Sequence, residues 1–173
     1  MNFDRYLHTD RDAWRWRQPT GADITPMVEL VREHFQREAT AIFRTDELLF
    51  TQELTLAVVR QFYNPSAEML FVAESADHKL MAYNWIYRGQ YMPYSRDEMA
   101  GARMMHIDLN LSQRQRMRLA VQTLLQWETW AKLNGIPVIC SSTMREDQGG
   151  FLRLHAEMGY DCRGSICYKR VIK

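Results

Sequence analysis

Met104-Met-His-Ile-Asp-Leu-Asn-Leu-Ser-Gln-Arg-Gln-Arg-Met-Arg-Leu-Ala120 is the stretch whose reading decides the fold. Its first half alternates. Ile107, Leu109 and Leu111 share one face, and His106, Asp108 and Asn110 share the other, the two-residue period of a strand. The period changes at Ser112, a good helix N-cap. From there Met117, Ala120, Val121, Leu124, Trp127 and Ala131 recur at the spacing of one helical face. Asn134-Gly135 ends the helix, because glycine readily takes the left-handed backbone a helix terminus needs. Pro137-Val-Ile-Cys-Ser-Ser-Thr143 then reads as a strand. The spacing predicts a strand over 104–111, a helix over 113–133 and a strand over 137–143. Two strands joined through a helix must pair in parallel.

On the N-terminal side, Trp14-Arg-Trp-Arg17 alternates like a short strand. Pro19-Thr-Gly-Ala-Asp23 is a turn ending in an N-cap, and Met27, Leu30, Val31 and Phe35 line a first helix. Thr45 or Asp46 caps a second helix, which Asn64-Pro-Ser stops. Met69–Glu74 and Leu80–Tyr87 flank a polar turn and read as an antiparallel hairpin. Gly89, Pro93 and Gly101 make 89–102 a long loop, one that carries Tyr91, Met92 and Tyr94. On the C-terminal side, Gln148–Met158 is a short helix closed by Gly159. A last hairpin spans 160–162 and 166–172. The expected class is α/β (α+β): a mixed, mostly antiparallel central sheet flanked by helices. Ligands in open α/β sheets collect at the carboxyl ends of strands, beside helix N-termini. That place here is the junction at 108–120.

The chain has 173 residues, 46% hydrophobic and 25% charged, which fits one domain over 1–173 with residues 1–13 as an N-terminal arm. The formal net charge of +1 argues against a general electrostatic grip on nucleic acid. Of the 22 basic residues only Lys79, Lys132, Lys169 and Lys173 are lysines; arginine suits two-pronged anion recognition better. No run approaches the ~18 apolar residues of a membrane span. The three cysteines, Cys140, Cys162 and Cys167, lack metal-ligand spacing, so no metal is expected. A reduced cytoplasmic setting is the simplest reading, with a Cys162–Cys167 bridge across the last hairpin left open.

The element order and several local motifs resemble the GNAT superfamily of acyl-CoA-dependent N-acyltransferases, from about Trp14 to Val171. The opening Trp14–Ile24 is similar to the family's first strand and its Thr-x-x-Asp turn. The hairpin at 69–87 resembles its second and third strands. Phe151-Leu-Arg-Leu-His-Ala-Glu-Met-Gly-Tyr160 resembles the family's helix ending in a Gly-aromatic pair. The resemblance implies an N-acetyltransferase that moves an acyl group from acetyl-CoA to an amine of a small molecule or protein. Its pyrophosphate loop, Gln/Arg-x-x-Gly-x-Gly/Ala, maps onto Gln115, Arg116, Met117, Arg118, Leu119 and Ala120. Asp108 and Asn110 would sit close to the thioester, and the backbone of Leu109 and Leu111 would lie along the pantetheine arm. Gln115 and Ala120 fit the loop; Arg118 stands where the central glycine belongs. Either Arg114, Arg116 and Arg118 supply charge to the phosphates, or they are solvated arginines on an ordinary helix and the site has decayed. The second case gives a catalytically inactive GNAT-like structural or binding protein, for example a phage virion component, associated with the virion rather than the cytoplasm.

Amine attack on a thioester needs a neutral amine and a protonated leaving thiol. In many family members a tyrosine four residues before the Gly-aromatic pair is the acid, and His155 occupies that position. A histidine can do this chemistry near neutral pH, and it can equally be a hydrogen-bonded packing residue. Asp108 is the first choice for the base; it shares its face with His106, and Glu146 and Asp147 follow the fifth strand. Tyr91, Tyr94 and Arg96, in the loop at 89–102, are expected to contact the amine acceptor or to cover a homo-oligomer or assembly interface.

Overall fold

The computed structural model describes residues 14–36, 43–145 and 147–164. Its sheet has five strands in chain order. β1 (Trp14–Arg17), β2 (Glu68–Ser75), β3 (Leu80–Tyr91) and β4 (Glu98–Ile107) pair antiparallel in succession. β4 then pairs in parallel with β5 (Val138–Cys140). Strand alternation sends the two faces into two cores. Leu70, Val72, Tyr83 and Trp85 pack against α1 (Ile24–His34) and α2 (Glu47–Tyr63). Met69, Ile86 and Ala100 pack against α3 (Gln113–Leu133) and α4 (Gly149–Glu157). The sheet is mixed, mostly antiparallel and flanked by helices, as expected.

α3 spans the expected residues because three local signals agree. Ser112 and Gln115 form a capping box. Val121, Leu124 and Trp127 bury one face. Gly135 closes the helix at φ +68°. Asp46 caps α2, accepting from Leu49 N at 3.0 Å. Asp23 stands at the N-cap position of α1, as expected, but its side chain makes no cap bond; it is also the last residue of a 3-10 turn, Gly21–Asp23. Its carboxylate holds Arg17 at 2.8 and 2.7 Å and Thr20 N at 2.7 Å.

Four expectations need correction. The loop at 89–102 is mostly strand. Gly89, at φ +93°, lets β3 continue through an irregularity between Tyr87 and Gln90. Arg88 and Gly89 N then tie the hairpin to Glu98. The strand expected over 104–111 starts earlier and ends at Ile107. Beyond it Asp108 Oδ1 accepts from Asn110 N and Nδ2, at 2.8 and 3.0 Å. Such a side-chain turn competes with the strand ladder. β5 is shorter than 137–143, and 160–164 is not strand. Residues 166–172, with Cys167, and the arm 1–13 lie outside the described residues.

Candidate active site

The parallel pair β4–β5 is hydrogen-bonded only from Met99–Gly101 to Val138–Cys140. Past those residues β4 keeps its β3 partner while the chain leaves β5 through Ser141, Ser142 and Thr143. A cleft of about 460 Å³ opens there. One wall is β4 from Ala102 to Ile107, and another is Ser141–Thr143. Arg116, Met117 and Ala120 of α3, with Gly150, Phe151 and Leu154 of α4, complete it. The β4 edge facing β5 is unladdered from Ala102 onward, among the described residues. Backbone N–H and C=O groups need partners, so this edge suits an extended ligand carrying amides. A register slip between Trp85 and Ile86 makes Arg103 an extra residue of β4. Its guanidinium lies 4.5 Å from the Trp85 ring centre, with Glu53 at 3.6 Å.

The first turn of α3 points into this end of the sheet. The capping box occupies Ser112 N and Gln115 N, leaving the amides of Gln113 and Arg114 without an intrahelical acceptor. Arg116 lines the cleft with a buried Nε that has no hydrogen-bond partner. A buried unpaired donor is costly unless a ligand meets it, so the site fits an anion.

Of the residues expected to hold a cofactor, Leu109, Arg116, Met117 and Ala120 line the cleft. Asn110, Leu111, Gln115, Arg118 and Leu119 do not. Helical geometry explains the division, because residues 115, 118, 119 and 122 turn toward β1 instead. Gln115 closes the capping box. Leu119 and Leu111 pack with Trp14, Ala73 and Met81. Gln122 accepts from Trp14 and Trp16 at 2.9 and 2.8 Å. The Arg118 guanidinium carbon is 5.8 Å from the Trp14 ring centre, so its side chain leaves the cleft clear. Asn110 belongs to the turn at Asp108.

Asp108 is not placed as a base. It is 4% exposed, outside the cleft lining, and bonded to Lys79 Nζ at 2.7 Å. Burial opposes its ionisation, but the Lys79 and Asn110 bonds outweigh it and hold the carboxyl below its ordinary range. Tyr91, Tyr94 and Arg96 are exposed at the β3–β4 hairpin tip. That tip is at the opening end of β4, whereas the cleft starts at Ala102, so none of them lines it.

His155 is 2% exposed, behind the cleft wall. Its Nδ1 lies 2.9 Å from the Phe151 carbonyl and its Nε2 3.1 Å from Ser141 Oγ. Burial lowers its pKa, against the pull of the Phe151 carbonyl. His106 sits on the other face of β4, its ring 5.0 Å from His34 and 5.1 Å from Tyr83. Burial, with His34 and Arg145 nearby, pushes its pKa down to about 3. Arg145 lines the cleft and reaches His34 Nδ1 at 3.3 Å. Sequence reading missed Ser141, Arg145, Phe151 and Trp127 as cleft residues. The polar run Ser141-Ser142-Thr143, directly after a parallel strand, was the available signal. Among the described residues no cluster of His, Cys, Asp or Glu could hold a metal ion, and no helix is long and apolar enough to cross a membrane.

No protein-family model and no curated protein matches the chain. Solved structures do. An aminoglycoside 6'-N-acetyltransferase from Acinetobacter baumannii aligns over 92% of this chain and 99% of its own, with a TM-score of 0.65 and 13% identity. Glucosamine-6-phosphate N-acetyltransferase from Arabidopsis thaliana aligns over 93% and 100%, with a TM-score of 0.66 and 12% identity. AAC(6')-Iy in complex with the bisubstrate analogue CoA-S-monomethyl-acetylneamine aligns over 92% and 99%, with a TM-score of 0.63 and 16% identity. The five-stranded mixed sheet with helices on both faces agrees with this likeness: the chain has the fold of the GNAT acetyltransferases.

Proposed function

We propose that the chain is an acyl-CoA-dependent N-acyltransferase, moving an acetyl group from acetyl-CoA to an amine of a small molecule or a protein. The observation that carries this reading is the splayed β4–β5 pair, with the first turn of α3 beside it and Arg116, whose buried Nε has no hydrogen-bond partner, in its lining. When bound, acetyl-CoA supplies an acyl carbon activated as a thioester. The unladdered edge of β4 from Ala102 onward, short of the Ile107 carbonyl that His34 Nε2 reaches at 3.2 Å, would take the amides of the pantetheine arm. The α3 amides of Gln113 and Arg114, with Arg116, would take the phosphates. His155 remains the residue proposed to handle the proton, from behind Ser141. Arginines at the cleft mouth, Arg103 and Arg145, would frame the acceptor.

Calorimetric titration with acetyl-CoA tests this reading. Saturable binding is expected, and Arg116→Gln should weaken it by about ten- to a hundredfold, in line with losing about 1.5–3 kcal/mol from a charged hydrogen bond. No heat at millimolar acetyl-CoA sinks the reading and favours a non-catalytic module.

A further inference from the structure

β5 and α4 bring a hydroxyl and an imidazole together at the cleft wall. Ser141 is the first residue past β5, and it lines the cleft. Its Oγ is 3.1 Å from His155 Nε2. On its far side the imidazole meets a backbone carbonyl, Phe151 O, 2.9 Å from Nδ1. A carbonyl only accepts, so Nδ1 carries the ring proton and Nε2 of the neutral ring offers a lone pair. Ser141 must then donate its hydroxyl proton to Nε2, which keeps the oxygen's remaining lone pairs for a partner in the cleft. The rest of the ring is enclosed. The Phe151 ring lies against it with centres 3.8 Å apart and planes tilted by 32°, and the Tyr160 ring meets it edge-on at 4.9 Å. Ser141 is thus the imidazole's route to the cleft. A hydroxyl, a base within hydrogen-bond reach and a third group orienting that base form a recurring catalytic pattern.

We propose that Ser141 is the residue that touches the reacting atoms, and that His155 acts through it as a single proton relay used twice in each turnover. The proposal rests on the acyltransferase reading above. As the amine nitrogen bonds to the acyl carbon, Ser141 takes a proton from nitrogen and passes its own to His155 Nε2. The carbon–sulfur bond then breaks with its electron pair going to sulfur. His155 returns its proton to Ser141, and Ser141 gives one to sulfur. One amine proton ends on the thiol, and both residues return to their starting state. The relay needs a neutral imidazole, which burial favours. The groups facing the ring do not oppose this. They are Ser141 just past β5, Phe151 from its own helix and Tyr160 from the turn after α4. Burial, aided by Glu128 of α3, keeps the Tyr160 hydroxyl protonated. Arg145 and Asp147 are the charged residues lining the cleft near Ser141.

The test measures thiol release from acetyl-CoA with trifluoroethylamine, an amine weakly basic enough to be neutral at neutral pH. Ser141→Ala should lower kcat roughly a hundredfold, within the usual range for a lost acid–base group, and leave acetyl-CoA affinity unchanged. His155→Gln should match it, and the double variant should be no slower than either. Expressed per neutral amine at each pH, so that the amine's own protonation cancels, the wild-type rate should fall as pH drops through a pKa below 6.5, and both variants should lose that limb. If acetyl-CoA fails to bind, the acyltransferase reading falls and the relay with it. If acetyl-CoA binds and Ser141→Ala turns over within about twofold of wild type, the relay alone is overturned. If acetyl-CoA binds and this amine is not acylated, ring-nitrogen NMR decides. A proton on Nδ1, with an Nε2 signal that moves in Ser141→Ala, supports the relay; a proton on Nε2 overturns it.

Discussion

Glu74, on β2, gathers two guanidinium groups and an imidazole: Arg15 at 3.1 Å, Arg17 at 2.9 Å and His78 at 2.9 Å. The Arg17 bond, and then that of His78, hold its pKa down from 4.5 to about 2. Between those values the folded state binds fewer protons than the unfolded chain. The contribution to stability is therefore complete above about pH 4.5 and is lost as pH falls toward about 2. Denaturant melts from neutral pH downward should show Glu74→Gln less stable at neutrality, with the gap to wild type closing through this window. A constant gap would show that the charge contributes nothing. At this scale the sequence was legible where a residue follows the period of its element: Met117 and Ala120 reach the cleft. The bond of Asp108 to Lys79, 29 positions away, was not legible, because no local pattern announces it.

α3 carries the most complete local code in the chain: cap, stripe and glycine stop. Ser112→Ala removes the Ser112 side of the capping box, so stability should fall by about 1 kcal/mol, read from urea unfolding. Because the same turn frames the cleft, acetyl-CoA affinity should weaken as well. Unchanged stability would mean that Gln115 and solvent replace the cap. β4 was the poorly legible element. Its start was hidden by Gly89 and Gly101, which read as loop residues and are accommodated within strands. Gly101 lies where a Cβ would come within 2.6 Å of the Gln90 side chain, so its lack of a side chain is a matter of packing between strands. Its end was hidden by alternation that runs on through Leu111 after the ladder has stopped at Ile107.

At the scale of the molecule, core and cleft share a wall. Trp127 is 1% exposed, donates to Asn84 Oδ1 at 3.2 Å and also lines the cleft. Trp127→Ala should cost about 3–5 kcal/mol and weaken acetyl-CoA binding together, measured by denaturation and by titration of the folded protein. Loss of stability with full affinity would show that the cleft wall is independent of the core. The sequence by itself determined the order of elements, the crossover that forces β4 and β5 to be parallel, the two-faced sheet and the helix N-terminus beside its carboxyl edge. Those follow from periodicity, caps and chain connectivity, all local or nearly so. Only the tertiary structure decided that β4 and β5 part after Gly101, that Arg118 lies over Trp14 rather than in the opening, that Asp108 is bound to Lys79, and that Ser141 meets His155. Each depends on which residues from distant segments meet across the sheet, and those contacts arise from packing of whole elements, which no single stretch of sequence encodes.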